Sequence, residues 1–329
     1  LRIKPFLSIF AGVFLVTSAL LAQTAVAQNS VADYPNRPLT IIVPFAPGTL
    51  TDILARIIAN KLAVALGQPV IAENKAGADG NIGANVLMAA QPNGYTLMVG
   101  PTSIGAINVT LHKNIKYDPQ RDFVGITNIA TVTNVLVVGP QVPAKNLSEL
   151  LSILKTKSYT FGSSGAGGSM HLSGEMFKKM ANADMIHVPY KSSPAVVTDV
   201  MGGRVEMMFC NLPICLPLIK TGKLTALGVT SETRSALLPD VPTISEAGLT
   251  GYVVEGWFGL YAPKGTPSEI IAKLNTETTK ILRDPEIKEQ LLAQGAVTVG
   301  DSSEHFEQFA KEERARWAKI IHDAGIKDE

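Results

Sequence analysis

The sequence predicts a two-lobed α/β fold in which mixed, mostly parallel sheets are flanked by helices. Three observations carry that expectation. Short apolar runs alternate with helical patterns along most of the chain. Two long extended runs, from Phe123 to Val138 and from Tyr252 to Tyr261, interrupt the alternation. The 329 residues, 46% hydrophobic and 17% charged, supply apolar material for about two packed domains and too little charge for disorder.

The elements follow in order. Leu39-Thr40-Ile41-Ile42-Val43 reads as a buried strand. A helix from about Thr51 to Leu66 comes next, because Ile53, Leu54, Ile57, Ile58, Leu62 and Leu66 share one face and Gly67 ends it. Val70–Ala72 is a second strand, Ile82–Ala90 a helix and Tyr95–Val99 a third strand. This β-α-β-α-β order places helices on both faces of a parallel sheet. Beyond the first extended run the pattern resumes with helix Leu147–Lys155, strand Tyr159–Gly162 and helix Met170–Met180. Strand Met185–Val188, helix Ala195–Met201 and strand Val205–Phe209 complete it. The remainder is helical. Thr266-Pro267-Ser268-Glu269 reads as a capping box with Pro in the first turn, and Asp284-Pro285-Glu286 and Asp301-Ser302-Ser303-Glu304 repeat that logic.

The two extended runs imply that the chain crosses between lobes twice, near residues 131 and 252. Residues 28–131 then begin lobe 1, 132–251 form lobe 2, and 252–329 return to lobe 1. Two crossings make a hinge with a cleft between the lobes, the usual place for a small ligand.

Residues 1–27 read as a secretory signal. Arg2 and Lys4 precede an apolar stretch from Phe6 to Leu21, and Ala25-Val26-Ala27 offers small residues at a cleavage site, with Gln28 as the mature start. The apolar core is shorter than the ~20 residues of a spanning helix. The expected location is therefore the periplasm, after export and cleavage. Residues 1–27 hold two basic residues and no acid, so the formal charge of +1 becomes −1 without them. That balance excludes binding to nucleic acid through a large basic excess. The five histidines are scattered, with no pair at metal-helix spacing, so neither a metal nor a cofactor is expected. Cys210 and Cys215 exclude a disulfide scaffold, and their apolar setting favours two buried thiols over a local disulfide.

Two places share one local design: a buried strand, a loop rich in Gly, Ser and Thr, then a helix. The first runs Val43-Pro44-Phe45-Ala46-Pro47-Gly48-Thr49-Leu50-Thr51-Asp52. The second runs Phe161-Gly162-Ser163-Ser164-Gly165-Ala166-Gly167-Gly168-Ser169-Met170-His171. In a parallel sheet such loops sit at the carboxyl ends of strands and aim free helix N–H groups at the cleft, where they attract anions. Neither loop completes G-x-G-x-x-G, the P-loop pattern or the G-x-S-x-G elbow. Ser169 and His171 share one helix start, which does not make a triad. His171 orients the loop, contacts the ligand, or is simply packed or solvated.

The chain also resembles a known family. Tyr34-Pro35-Asn36-Arg37-Pro38-Leu39 through Phe45, Gly80-Asn81-Ile82-Gly83-Ala84, Asn93-Gly94-Tyr95 and the loop Gly162–Ser169 carry the resemblance. So do Val188-Pro189-Tyr190-Lys191, Leu238-Pro239-Asp240-Val241-Pro242-Thr243 and Ala262-Pro263-Lys264-Gly265-Thr266-Pro267. Together they are similar to the Bug family, the periplasmic solute-binding proteins of tripartite tricarboxylate transporters. The resemblance implies a type II periplasmic-binding-protein (Venus flytrap) fold and a small carboxylate ligand: a di- or tricarboxylate, an acidic amino acid or an aromatic acid. It implies a carboxylate pincer of Phe45, Ala46, Gly48, Thr49 and Thr51 with Ser163, Ser164, Gly165, Ser169 and His171. Thr102, Ser103, Thr133, Asn134, Tyr190 and Asn211 would be wall residues. The implied partners are the membrane components of such a transporter, and the receptor would be a monomer without catalytic activity. Thr49 and Ser192 stand where the family more often has glycine. At Cys210-Asn211 an aspartate is frequent, and its loss favours a plain organic acid over an amino acid. Two rival readings remain: a sensory module docking on a membrane receptor kinase, and an enzyme using Ser169 or His171.

Overall fold

The computed structural model describes residues 33–164, 168–190 and 192–326. The secretory signal expected at residues 1–27 lies outside them, as do Gly165 and Lys191.

Strands Leu39–Val43 (β1), Val70–Asn74 (β2) and Thr96–Pro101 (β3) pair in parallel in the order β2-β1-β3. Helix Leu50–Leu66 (α1) connects the first two. It buries Leu54, Ile57, Ile58 and Leu62 and ends at Gly67, whose left-handed backbone (φ 66°) lets its N–H reach the Ala63 carbonyl at 3.1 Å. Helix Asn81–Ala89 (α2) covers the sheet where Gly83 lies against Pro44; a β-carbon there would come within 2.7 Å of the proline ring.

After β3 come a turn of π-helix at Ser103–Ile107 and the short helices Asn108–Leu111 (α3) and Pro119–Asp122 (α4). Strand Phe123–Val138 (β4) follows, with the limits of the first extended run. It is the spine of the molecule. Its residues from Phe123 to Thr133 pair antiparallel with strand Glu255–Pro263 (β9), and from Asn134 onward it pairs with strand Met207–Asn211 (β7).

The second half builds its own parallel set. Helix Leu147–Leu154 (α5), strand Tyr159–Ser163 (β5), helix Ser169–Ala181 (α6), strand Met185–Pro189 (β6) and helix Ser193–Met201 (α7) lead to β7. Helix Leu212–Lys220 (α8) and strand Thr225–Val229 (β8) then bring the chain back beside β4. The sheet order is β2-β1-β3-β9-β4-β7-β5-β6, a ten-stranded curled sheet among the described residues, with β8 and strand Ala296–Thr298 (β10) also paired to β4. The central strands are buried on both faces, whereas edge strand β2 alternates.

Helices Ser268–Arg283 (α9), Pro285–Ala293 (α10) and Ser303–Ala324 (α11) close the chain. The α9 start corrects one expectation. No capping box forms there, because Thr266 Oγ1 donates to the Pro263 carbonyl at 2.8 Å instead. Asp284 caps α10 as its sequence suggests, accepting from the Glu286 N–H at 2.9 Å, but α11 is capped one residue later than the Asp301-to-Glu304 pattern implies, by Ser302 accepting from the His305 N–H at 3.2 Å. Helix α11 lies behind the sheet. Its Trp317 and Ile321 share one core with Phe177 and Tyr252, and Lys179 of α6 pairs with its Asp323.

Candidate functional site

The first loop begins where β1 ends. Gly48 has φ +82°, a backbone that other residues rarely adopt. Thr49 is extended at the head of α1 but does not cap it, since its Oγ1 donates to the Ala46 carbonyl at 2.8 Å. The loop is instead held from beneath by Asp52, whose side chain is 5% exposed. One Asp52 oxygen accepts from the Gly48 N–H at 3.0 Å and Arg56 Nε at 3.0 Å. The other accepts from Asn74 Nδ2 at 2.9 Å, and the same Asn74 amide donates to the Phe45 carbonyl at 3.0 Å. The Arg56 hydrogen bond dominates, with Gly48 and Asn74 adding to it against a smaller opposing effect of burial, and the Asp52 pKa falls to about 2.

A cleft of about 670 Å³ opens beside this loop. Phe45, Gly48, Thr49, Thr51 and Ile53 line one side, with Pro101, Thr102 and Ser103 after β3. Gly168 and Ser169 at the start of α6, Ser193 and Pro194 at the start of α7, and Asn211, Pro213 and Ile214 at the start of α8 face them. Val132 of β4 and Gly256, Trp257 and Phe258 of β9 also contribute, as does Gln294.

Four helices of nine residues or more therefore start at one cavity, and none has its N-terminus capped by the side chain before it. Away from the cleft, α5, α10 and α11 are capped by Asn146, Asp284 and Ser302, while α2 and α9 are uncapped too, so the convergence of the four starts on one cavity, and not the missing caps alone, marks the site. The first N–H groups of a helix have no acceptor within it, and its dipole places partial positive charge there. No charged side chain lines the cavity among the described residues. Pro194 and Pro213 each remove one donor from α7 and α8, so α1 and α6 are the stronger anion-binding ends and α7 and α8 the more apolar wall.

Of the residues expected at a site, Phe45, Gly48, Thr49, Thr51, Thr102, Ser103, Ser169 and Asn211 come together around this cleft. Thr102 reaches it with its hydroxyl already engaged: Oγ1 accepts from the Trp257 N–H at 2.7 Å and donates to the Trp257 carbonyl at 3.1 Å. The other expected residues that the structure describes lie elsewhere. Ala46 is exposed on the loop crest, and Ser164 is exposed with its hydroxyl on Met170 Sδ at 3.3 Å. Ser163 is buried with Oγ 2.7 Å from His187 Nε2. His171 is buried, stacks on His187 with ring centroids 3.8 Å apart and faces Glu175. Ser169 and His171 thus diverge, one towards the cleft and one into the core. Thr133 bonds Glu255, and the Tyr190 hydroxyl donates to Asp199 at 2.8 Å. Buried Asn134 accepts from Asn211 Nδ2 at 2.8 Å and donates to Ser173 at 3.2 Å, and so fixes the amide that Asn211 presents to the cleft.

The profile of the tripartite tricarboxylate transporter family receptor, TctC, matches residues 54–326. The chain belongs to the TctC receptor family. Among its relatives, Protein BugT of Bordetella pertussis is 35% identical over 319 residues, 96% of each chain. A solved structure described as R. palustris Rpa4515 with adipate is 36% identical, with a TM-score of 0.79 over 90% of this chain and 100% of that one. MatC of Rhodopseudomonas palustris with bound malate is 31% identical, with a TM-score of 0.74 over 88% and 100%. A further solved neighbour, the periplasmic binding protein BugD, is 32% identical, with a TM-score of 0.74 over 90% of this chain and 100% of that one.

In this TctC receptor the Cys210 and Cys215 side chains form a disulfide, which corrects the expectation of two thiols. Both are fully buried, as the apolar stretch suggests, but a strand end followed by a helical turn brings them together. Sequence reading also missed Ser193, Pro194 and Pro213 at the cleft. The Pro at the second position of each helix was an available start signal.

The Asp52 network yields a pH prediction. Its carboxylate pKa is lowered in the folded state, so its contribution to stability is complete above the unfolded value near 3.8 and is lost as pH falls towards 2. Acid titration of the melting temperature should show this loss in the native chain. In Asp52→Asn, which starts from a lower plateau, that limb should flatten.

Proposed function

We propose that this TctC receptor is exported with removal of residues 1–27, captures a small organic carboxylate in the periplasm by lobe closure, and delivers it to a tripartite tricarboxylate transporter. The ligand class is a di- or tricarboxylate or an aromatic acid. Residues 28–131 and 252–329 act as one lobe and 132–251 as the other, with β4 between them. The observation that carries this reading is the convergence of uncapped helix starts, α1 from one lobe and α6 from the other, on a cleft with no described charged side chain. A carboxylate held there by three or four charge-assisted hydrogen bonds, each contributing about 1.5–3 kcal/mol, reaches micromolar affinity without an arginine. Adipate and malate in the related solved proteins support the same class of ligand. Ser169 and His171 diverge, which favours a receptor over an enzyme built on that pair.

A thermal-shift screen tests it. A matching acid at about 100 times its Kd stabilises the native state by about 2.7 kcal/mol and raises the melting temperature. Plain acids should outperform aspartate and glutamate, because no described carboxylate lines the cleft to pair with an ammonium group. A panel of mono-, di- and tricarboxylates without a single hit, or tighter binding of the amino acids in calorimetry, would overturn the assignment.

A further inference from the structure

We propose that Gly295 and Pro213 form the stop that sets how far the lobes close, and that the Cys210–Cys215 disulfide holds Pro213 in its place. The inference rests on the lobe-closure reading above. The Val254 N–H bonds to the Thr230 carbonyl and the Thr230 N–H to the Asn134 carbonyl, so β8 and β9 follow one edge of β4. β10 and β7 share the other edge. There β10 starts with Ala296 opposite Val132, and β7 ends with Asn211 opposite Asn134. The two strands abut end to end where β4 passes from one lobe to the other.

The residues at these strand ends meet across the junction. A β-carbon on Gly295 would lie 2.1 Å from Pro213 Cγ and 2.5 Å from Cδ, closer than real contacts allow. Gln294 and Pro213 both line the cleft, so this is the edge that shortens as the lobes approach. A missing side chain at 295 lets the junction shut to its present extent, and the rigid proline ring ends the movement. The disulfide joins residues five apart in sequence and encloses Pro213. It prevents the first turn of α8 from yielding, and it fixes Asn211 and Ile214 on the same wall.

The test reads interlobe distance in the full, ligand-free chain. Spin labels on unnatural amino acids at exposed positions 64 and 186 report it by pulsed electron resonance. Gly295→Ala should lengthen the mean distance. Gly295 has φ +71°, which strains alanine by itself, so Gly295→Asn serves as the variant that tolerates that backbone while still carrying a β-carbon. It should lengthen the distance equally. Adding Pro213→Ala to Gly295→Ala should restore the native value, which relief of backbone strain would not do. Replacing both cysteines by serine should broaden the distribution. Unchanged distances in both Gly295 variants, or no recovery on trimming Pro213, would overturn the stop; an unbroadened distribution would overturn the role of the disulfide. No ligand enters the measurement, so failure of every carboxylate to bind would count against the receptor reading and not against this result.

Discussion

A chain carrying Thr51→Val and Ser169→Ala is expected to bind the proposed carboxylate roughly 10²–10⁴-fold more weakly than the native protein while still folding, because the proposed grip would lose two hydroxyl bonds to a charged acceptor at about 1.5–3 kcal/mol each. The two residues sit at the starts of α1 and α6, on opposite sides of the cleft. Valine keeps the volume of buried Thr51, and the hydroxyl of Ser169 is not part of the core. The melting temperature without ligand should therefore move little. Calorimetry with the strongest acid from the screen measures the effect, and each single variant should account for about half of the lost free energy if the two sites act independently. Native affinity in both single variants would mean that the carboxylate is gripped elsewhere.

The second large effect concerns pH and the stacked pair of buried His171 and half-buried His187. Burial, with the nearby His171 adding to it and Glu175 opposing, lowers the His187 pKa from 6.5 to about 4. The folded state therefore binds fewer protons than the unfolded chain between these values. Stability is complete above pH 6.5 and falls as pH drops towards 4. Lys178 and Glu175 of α6 also face this site. Burial raises the Glu175 pKa, but its hydrogen bond with His171 and the charges of Lys178, His171 and His187 outweigh that effect and lower it. The expected loss is about 2 kcal/mol after allowance for partial solvent screening. His187→Gln should remove most of the slope in denaturant titrations between pH 7 and 4. An equally steep slope in that variant would assign it to other groups. Ser163 bonds His187 at the end of β5, so protonation of this ring acts at the last residue of that strand.

Much of the fold was legible because apolar periodicity has one reading when an element is long. Helix α1 and the first extended run are examples: Leu54, Ile57, Ile58 and Leu62 could share only a helical face, and residues 123–138 could pack only as an extended spine. Short elements were less legible. α8 carries Pro213 and Pro217 inside an apolar run, and β10 is only three residues long, so neither shows a clear period. The cleft divides the same way. Thr51 and Ser169 were visible as hydroxyls after buried strands. Trp257 and Gln294 were not, because a cavity wall assembled from β9 and the α10–β10 turn has no local signature. His171 takes the packed alternative among those the sequence left open, for a physical reason: the first turn of α6 presents one face to the cleft and the next to the core, where Glu175 and His187 lie.

The position of β9 has a consequence for how the chain acquires its shape. It lies between β3 and β4, yet it is made after the whole of the second half. Until residue 263 is available, the amino-terminal strands have no neighbour on one side, and the spine is open along the same gap. Pairings so distant in sequence form slowly and late. The two segments that flank this gap therefore join only when the last third of the polypeptide arrives, whereas β5 to β8 find their partners without it.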